Sequence, residues 1–597
     1  MSELQVTTIA DFLGVNKSAT ETQLKPGEAS SMSNWRVTDD KKISKMFGYI
    51  HLLLASTGHK INGMWYGSLI GTYHFLYASN AHVYELNLST FVSTDLGTII
   101  DAFPTTFFMN NNSVYILDGT EYYKWTGSGS IATVVGYTPT MFTASPPAGG
   151  GTILEAGNYL TGQKTKKYSG DNTATVYQLP ELSIASVDSV YVGGVLQTVS
   201  TQYTVSIANG TVTFVTKPPL GVNNVLITWT KVTTGNRQLV TNNMFFGGTY
   251  YSRMWLFGNP SHLNTRYPSG VTMSGVSDPT FFPQFGDSNV GDYEITDIKT
   301  QYDKQVIFTG GDSSGASSWY TQELDYTDPT TGIITALFPT KPINSNIGNA
   351  AKGQVRIIGN NPFSVWKGIY EWSSVTGVLD EKNATWISQR IQPDLDSVNL
   401  KNALTFDWND KGWYLLCVGS RVWVNNYRAD VWFVLDLAHT PTCFATIDSK
   451  LYFGTADGQI MKFDESKLTY DGTTIDAEWE MGFYNFGVEW IQKFIQRLYI
   501  SLKPELRSRV VVTYSTDRNS FSDNYTAYYN LLDFAHIDFR HSTFLTSRNP
   551  QPFKFKIRAK KIDYFKLKLT SNTVSETATV LSITIPSRQG GEIKKRS

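Results

Sequence analysis

One local pattern recurs through most of this chain: a short apolar strand, a polar turn of Asn, Asp or Gly, then an aromatic-rich strand. It runs from Phe75 to Leu86 across Ser79-Asn80-Ala81. It returns from Phe107 to Gly119 across Asn110-Asn111-Asn112, followed by Tyr122-Tyr123-Lys124-Trp125. Its plainest instance is Lys450 to Phe463, where Ala456-Asp457-Gly458 joins two strands that each carry an apolar face. Period-2 alternation is general and helical periodicity nearly absent, so the chain must be all-β. Further strand pairs of the same style lie at 238–258, 296–325, 353–373 and 402–437, the last with Trp408, Trp413, Trp423 and Trp432. Units of roughly 40 residues, about seven of them, match the spacing of β-propeller blades. A single four-stranded blade cannot bury both faces; radial stacking does so and leaves only short edges.

Two interruptions divide the 597 residues. Ala144-Ser145-Pro146-Pro147-Ala148-Gly149-Gly150-Gly151-Thr152 has a linker composition. The hairpin Ser189–Leu196 across Gly193-Gly194 follows, with Tyr203-Thr204-Val205, Gly210–Phe214, Pro218-Pro219 and Val225–Trp229 at short intervals. This spacing predicts a small β-sandwich. After Asp471-Gly472 long alternating runs appear, among them Val510–Tyr514, Lys554–Arg558 and Phe565–Leu569, with Lys and Arg on one face. The expected organisation is an N-terminal arm (1–50), first blades (51–150), an inserted β-sandwich (151–235), remaining blades (236–470) and a C-terminal β-sandwich (471–597).

Charged residues make up only 17% against 41% hydrophobic and 14% aromatic, which favours a surface covered by other subunits. Net charge is −1, from 50 basic and 51 acidic residues, so the basic excess that a dedicated nucleic-acid binder needs is absent and such a role is not expected. Lys594, Lys595 and Arg596 form only a short solvated tail. Cys417 and Cys443 lie in apolar runs and read as buried free thiols. Neither a secretory signal nor an apolar run of about 20 residues occurs, so a cytoplasmic site of synthesis is expected.

No catalytic, cofactor or metal site is expected. Gly311-Asp312-Ser313-Ser314-Gly315 fits a nucleophile-elbow pattern but runs on into a strand, where the chemistry needs a helix. The histidines (His51, His59, His74, His82, His262, His439, His536 and His541) form no helical ligand pair. His536 and His541 flank Asp538 in a loop-like stretch that reads as ordinary polar surface. Asp287, Asp292, Glu294 and Asp297 cluster without an arginine, and Asp312 has the wrong spacing to Trp319 for a sialidase Asp box.

The termini carry the most specific signals. Asp11-Phe12-Leu13-Gly14-Val15-Asn16, Leu24-Lys25-Pro26-Gly27-Glu28-Ala29, Ser33-Asn34-Trp35 and Lys45-Met46-Phe47-Gly48-Tyr49 form a spaced set. So do Phe486-Gly487 through Lys493 to Tyr499, Tyr514-Ser515-Thr516-Asp517, Arg558 with Lys561, and Gly590-Gly591-Glu592-Ile593-Lys594. Together these resemble the β-propeller tail nozzle, or tail hub, proteins of short-tailed bacteriophages. The resemblance implies a virion structural protein assembled in the host cytoplasm as a homohexameric ring. Its partners would be a portal–adaptor stack, tail fibres and genomic DNA passing without sequence-specific contact. Near-neutral charge suits a conduit, since each phosphate contact adds affinity that retards a passing duplex. Turns at 309–318 and 344–353 are candidates for narrowing the lumen. The alternatives are a glycan-binding propeller using an exposed Trp such as Trp229, and a glycan-cleaving propeller using paired carboxylates.

Overall fold

The computed structural model describes residues 4–53, 57–232, 236–259, 269–284, 286–311, 314–327, 334–374, 382–517, 524–532, 543 and 545–592. His262, Asp312, Ser313, His536, Asp538, His541 and the basic tail from Lys594 lie outside them. The fold is all-β and propeller-like. Among the described residues, six four-stranded antiparallel sheets and one extended sheet follow the blade pattern of consecutive hairpins. The chain forms two compact units: Met1–Tyr66, Leu86–Ser93 and Gln354–Ser597 make one, Gly67–Glu85 and Thr94–Gly353 the other.

In the second unit the recurring pattern becomes real hairpins. Thr106–Asn110 and Ser113–Leu117 pair antiparallel across Asn111 and Asn112, both at positive φ, which Asn tolerates best among residues with a Cβ. Phe108, Tyr115 and Tyr122 stack on one another, and Phe108 stacks on Phe246 of the next sheet at 4.3 Å. That is how neighbouring blades share a core. The sheet of Phe245–Tyr250, Arg253–Phe257, Gly270–Met273 and Asp287–Asn289 packs likewise on Glu294–Gln301 and Lys304–Gly310, through Trp255, Phe257, Ile295, Ile298 and Ile307. Residues 238–241, read as the start of a strand pair, form one helical turn, Gln238–Thr241, before the first strand.

The insertion is two packed sheets. One runs Thr152–Ile153, Thr140–Ser145, Gln163–Gly170, Gly221–Thr230, Ser186–Val192, Val195–Leu196; the other runs Val176–Gln178, Thr211–Phe214, Tyr203–Ser206. Its first strand starts at Thr140, before the expected boundary at 151. The Pro/Gly stretch is the loop of a hairpin that pairs Phe142 with Ile153, not a linker between domains. Gly193 and Gly194 both have positive φ, the two-residue turn the sequence signalled. Trp229, offered above as an exposed sugar-stacking ring, is fully buried, and its indole donates to Glu181 Oε2 at 2.9 Å.

In the first unit, Leu404–Trp408, Trp413–Val418, Arg421–Asn426 and Val431–Asp436 form one sheet with all four tryptophans buried. The adjacent sheet begins Pro441–Ile447, Lys450–Thr455, Ile460–Phe463 and is completed by Tyr49–His51 from the N-terminal region. The two longest sheets close the unit. Leu4–Ile9, Trp35–Val37 and Ile43–Lys45 join Thr579–Glu592, Ile491–Leu502 and Gln551–Ile562. Gly14–Val15 and Glu28–Ser33 join Ala477–Met481, Phe565–Ser571, Arg507–Thr516 and Tyr525–Asn530. Tyr525 on Phe555 and Tyr529 on Phe553 tie the two sheets face to face. The segment 1–50 is therefore no free arm: it supplies strands to both C-terminal sheets.

Burial on this scale has a titration signature. Burial pushes Tyr115, Tyr123, Tyr177, Tyr250, Tyr427 and Tyr452 up to about 12, and Tyr49, Tyr122, Tyr168, Tyr414 and Tyr470 also upward. An unfolded chain ionises these phenols near ~10 while the folded chain still holds their protons, so stability falls as pH rises through 10 to 12. Lys45 and Lys166, lowered by burial to about 8, act oppositely between about 8 and 10.5. Thermal melts across pH should thus be flat or slightly rising up to about 10 and then drop steeply, with phenolate absorbance appearing together with unfolding.

Candidate functional site: a buried N-terminal junction

The N-terminal motifs converge on one buried place in the first unit. Gly14 has φ +74°, and a Cβ there would lie 2.2 Å from the carbonyl oxygen of Trp432. Gly48 has an ordinary φ, yet a Cβ would sit 1.9 Å from the carbonyl oxygen of Thr469. Only glycine lets the backbone approach so closely. Glu28 is buried and accepts from the Lys25 amide at 3.0 Å, closing the Pro26-Gly27 turn on itself. Phe12 meets Trp479 edge-on at 5.4 Å.

Asn34 is the hub. Its φ of 55° is one Asn accepts, and every polar atom is used. The amide nitrogen of its side chain donates to the Asp476 carbonyl at 2.8 Å. The side-chain oxygen accepts from the Asp436 amide at 3.0 Å and from the Tyr470 hydroxyl at 3.1 Å. Its backbone donates to Val434 and accepts from Met46. Tyr49 stacks on Tyr470 at 4.7 Å, and its oxygen accepts from the amides of Ala438 and His439. Burial strips water from the Lys45 ammonium and drives its pKa down to about 8 despite two nearby carboxylates, and the ammonium donates to the carbonyls of Thr573 and Glu576. The C-terminal motif residue Asp517 accepts from the amides of Asp563 and Tyr564. These residues lock strand order.

The remaining candidates disperse. His51 meets Asp471, His74 meets Glu85 beside Trp125, His82 meets Asp95, and His439 meets Tyr49. No group of three or more metal-ligating side chains occurs among the described residues. In the acidic cluster Asp287 accepts from Tyr159 at 2.8 Å, Glu294 pairs with Lys352, and Asp297 pairs with Lys299; lysine, not arginine, balances them. Among the described residues of 309–318 and 344–353 the two turns brace each other: Thr309 donates to Ser317, Asn349 to Thr309 and Gly311 to Asn349. Cys417 and Cys443 are free thiols; burial pushes both upward, Cys443 to about 12.

Two features of the inserted sandwich were not read from the sequence. Inside the inserted sandwich, Lys164 pairs with Glu181 at 2.5 Å, and Lys166 lies under the rings of Phe142 and Tyr168. At the end of that sandwich away from Gln163 and Thr230, the loops after Gly170, Val192, Leu196 and Phe214 gather, tied by Val215 to Gln202 and Gly193 to Asn224. Val195, Leu196, Val199, Val215, Leu220 and Val222, on these loops and the strand ends beside them, are exposed, the last two at 79%. An apolar cluster of this kind marks a contact surface.

No family model matches the chain, and no curated protein matches it. Among solved structures it is similar to the computationally designed Ika8 protein (10% identity, covering 69% of this chain and 99% of that one, TM-score 0.32). It is similar to BamB from Moraxella catarrhalis (10%, 77% and 98%, TM-score 0.31). It is also similar to the N-terminal domain of Nup159 (9%, 76% and 100%, TM-score 0.28). Likeness at this level carries no functional argument, and the fold rests on the sheets described above.

Proposed function

We propose that the protein is a non-enzymatic structural component of a bacteriophage tail, a ring-forming nozzle or hub around the path of genomic DNA. The observation that carries this reading is the junction. The segments of the N-terminal set that resemble the nozzle proteins meet as structural joints, the close approaches at Gly14 and Gly48 and the fully bonded Asn34. Motifs of that kind preserve an architecture, whereas motifs of an enzyme family would meet at reactive groups. The low share of charged residues and the apolar tip of the inserted sandwich support burial against further copies or tail partners. The test is electron microscopy and mass measurement of the purified full chain, together with a search for it in purified virions. A ring oligomer is expected, hexameric on the resemblance.

A further inference from the structure

The outer face of one C-terminal sheet is charged in a way that the chain-wide balance conceals. On its edge strand, Gln551–Ile562, the inward positions Phe555, Ile557 and Ala559 are buried, and Lys554, Lys556, Arg558 and Lys560 are exposed on the opposite face. Residues two apart on a strand are ~6.8 Å apart, so these four cations form a row ~20 Å long. The neighbouring strand, Ile491–Leu502, puts Arg497 directly opposite Lys556 and Phe494 opposite Lys560. The next, Thr579–Glu592, puts Arg588 opposite Phe494. Six cations share the face, none with a carboxylate partner among the described residues, and the one acidic residue at an outward position of these strands is Glu592 at the far end.

Lysines on an exposed edge strand guard against pairing with another chain. That accounts for the row itself. It does not account for Arg497 or Arg588, whose strands are paired on both sides. Placing Arg497 across from Lys556 costs stability, because like charges directly opposite repel. A local rule broken with no offset nearby points to a ligand.

We infer that this face binds the phosphate backbone of double-stranded nucleic acid. Each strand of a duplex offers one phosphate per ~3.4 Å of axis, about six over the length of the row, so cations at regular spacing meet a regular run of anions. The Phe494 ring lies across Gly590, and Tyr499 is half-buried, so neither is free as a platform for unstacked bases. Binding is therefore to the backbone and indifferent to sequence. The inference rests on charge placement and is independent of the tail reading.

The test uses the full chain and a short mixed-sequence duplex, with affinity followed by fluorescence anisotropy from about 50 to 200 mM salt. Four to six phosphate contacts weaken binding about 10²–10³-fold over that range, at a slope of about −0.9 per contact. Combining Lys554→Gln, Lys556→Gln, Arg558→Gln and Lys560→Gln should flatten the slope by about 3 to 4. A matched set elsewhere (Lys17→Gln, Lys25→Gln, Lys217→Gln, Lys341→Gln) should leave it unchanged. Arg497→Glu separates function from folding: it should melt at the same or a higher temperature while binding the duplex more weakly. No duplex binding at low salt, equal loss in both quadruple variants, or polyglutamate bound as tightly as the duplex would each overturn the inference.

Discussion

Gly48→Ala is expected to destabilise the first unit by at least about 3 kcal/mol, the upper range for adding one carbon to a packed interior. The reason is the neighbour. The new Cβ would meet a backbone carbonyl at 1.9 Å, and that carbonyl belongs to Thr469, just before Tyr470, which pairs with Tyr49. Neither backbone can retreat freely, because Gly48 donates to Lys467 and accepts from Asp464. Displacing it pulls Tyr49–His51 from Ile460–Phe463 and breaks the Tyr49–Tyr470 stack. Gly591→Ala, where nothing lies within 4 Å of the added carbon, is the control and should be neutral. Urea unfolding of the two variants measures the difference as a shift in midpoint at constant slope.

Asn34→Ala should cost about 3–5 kcal/mol. The substitution leaves the Asp476 carbonyl, the Asp436 amide and the Tyr470 hydroxyl without the partner they have now, and each buried orphan costs about 1–3 kcal/mol. It also places alanine at φ 55°, which Asn accepts and Ala resists. Asn34→Gly removes the same bonds without adding backbone strain, since glycine accepts a positive φ, so its loss should fall short of the alanine variant's by a measurable margin. Equal losses would show that the backbone at this position is unstrained.

What the sequence made legible was local. Lys450–Phe463 folds as read because its turn chemistry is self-contained: Thr455 donates to Asp457, and the strands on either side need no distant partner to declare their faces. The blade units follow for the same reason. The N-terminal segment did not, since its partners lie hundreds of residues away: Leu4–Ile9 pairs with Thr579–Glu592, and Glu28–Ser33 with Ala477–Met481. Short runs such as Gly14–Val15 carry no alternation to announce a strand. The inserted sandwich was placed about ten residues late because a Pro/Gly hairpin loop and a linker have the same composition. Its inward lysines broke the usual alternation, and only the structure supplies Glu181 and the rings that make Lys164 and Lys166 tolerable there. Trp229 was expected outside on the strength of its residue type alone, though tryptophan is buried as a rule. The basic face was visible as Lys and Arg alternation, but not that Arg497 and Arg588 fall on the same side, which depends on register.

The claim that most needs testing is that this chain works by assembling. Electron microscopy of the purified protein at micromolar concentration, alongside its mass in solution, addresses that claim directly. The account predicts closed rings of identical subunits and the same chain in purified virions. A stable monomer absent from virions would contradict it.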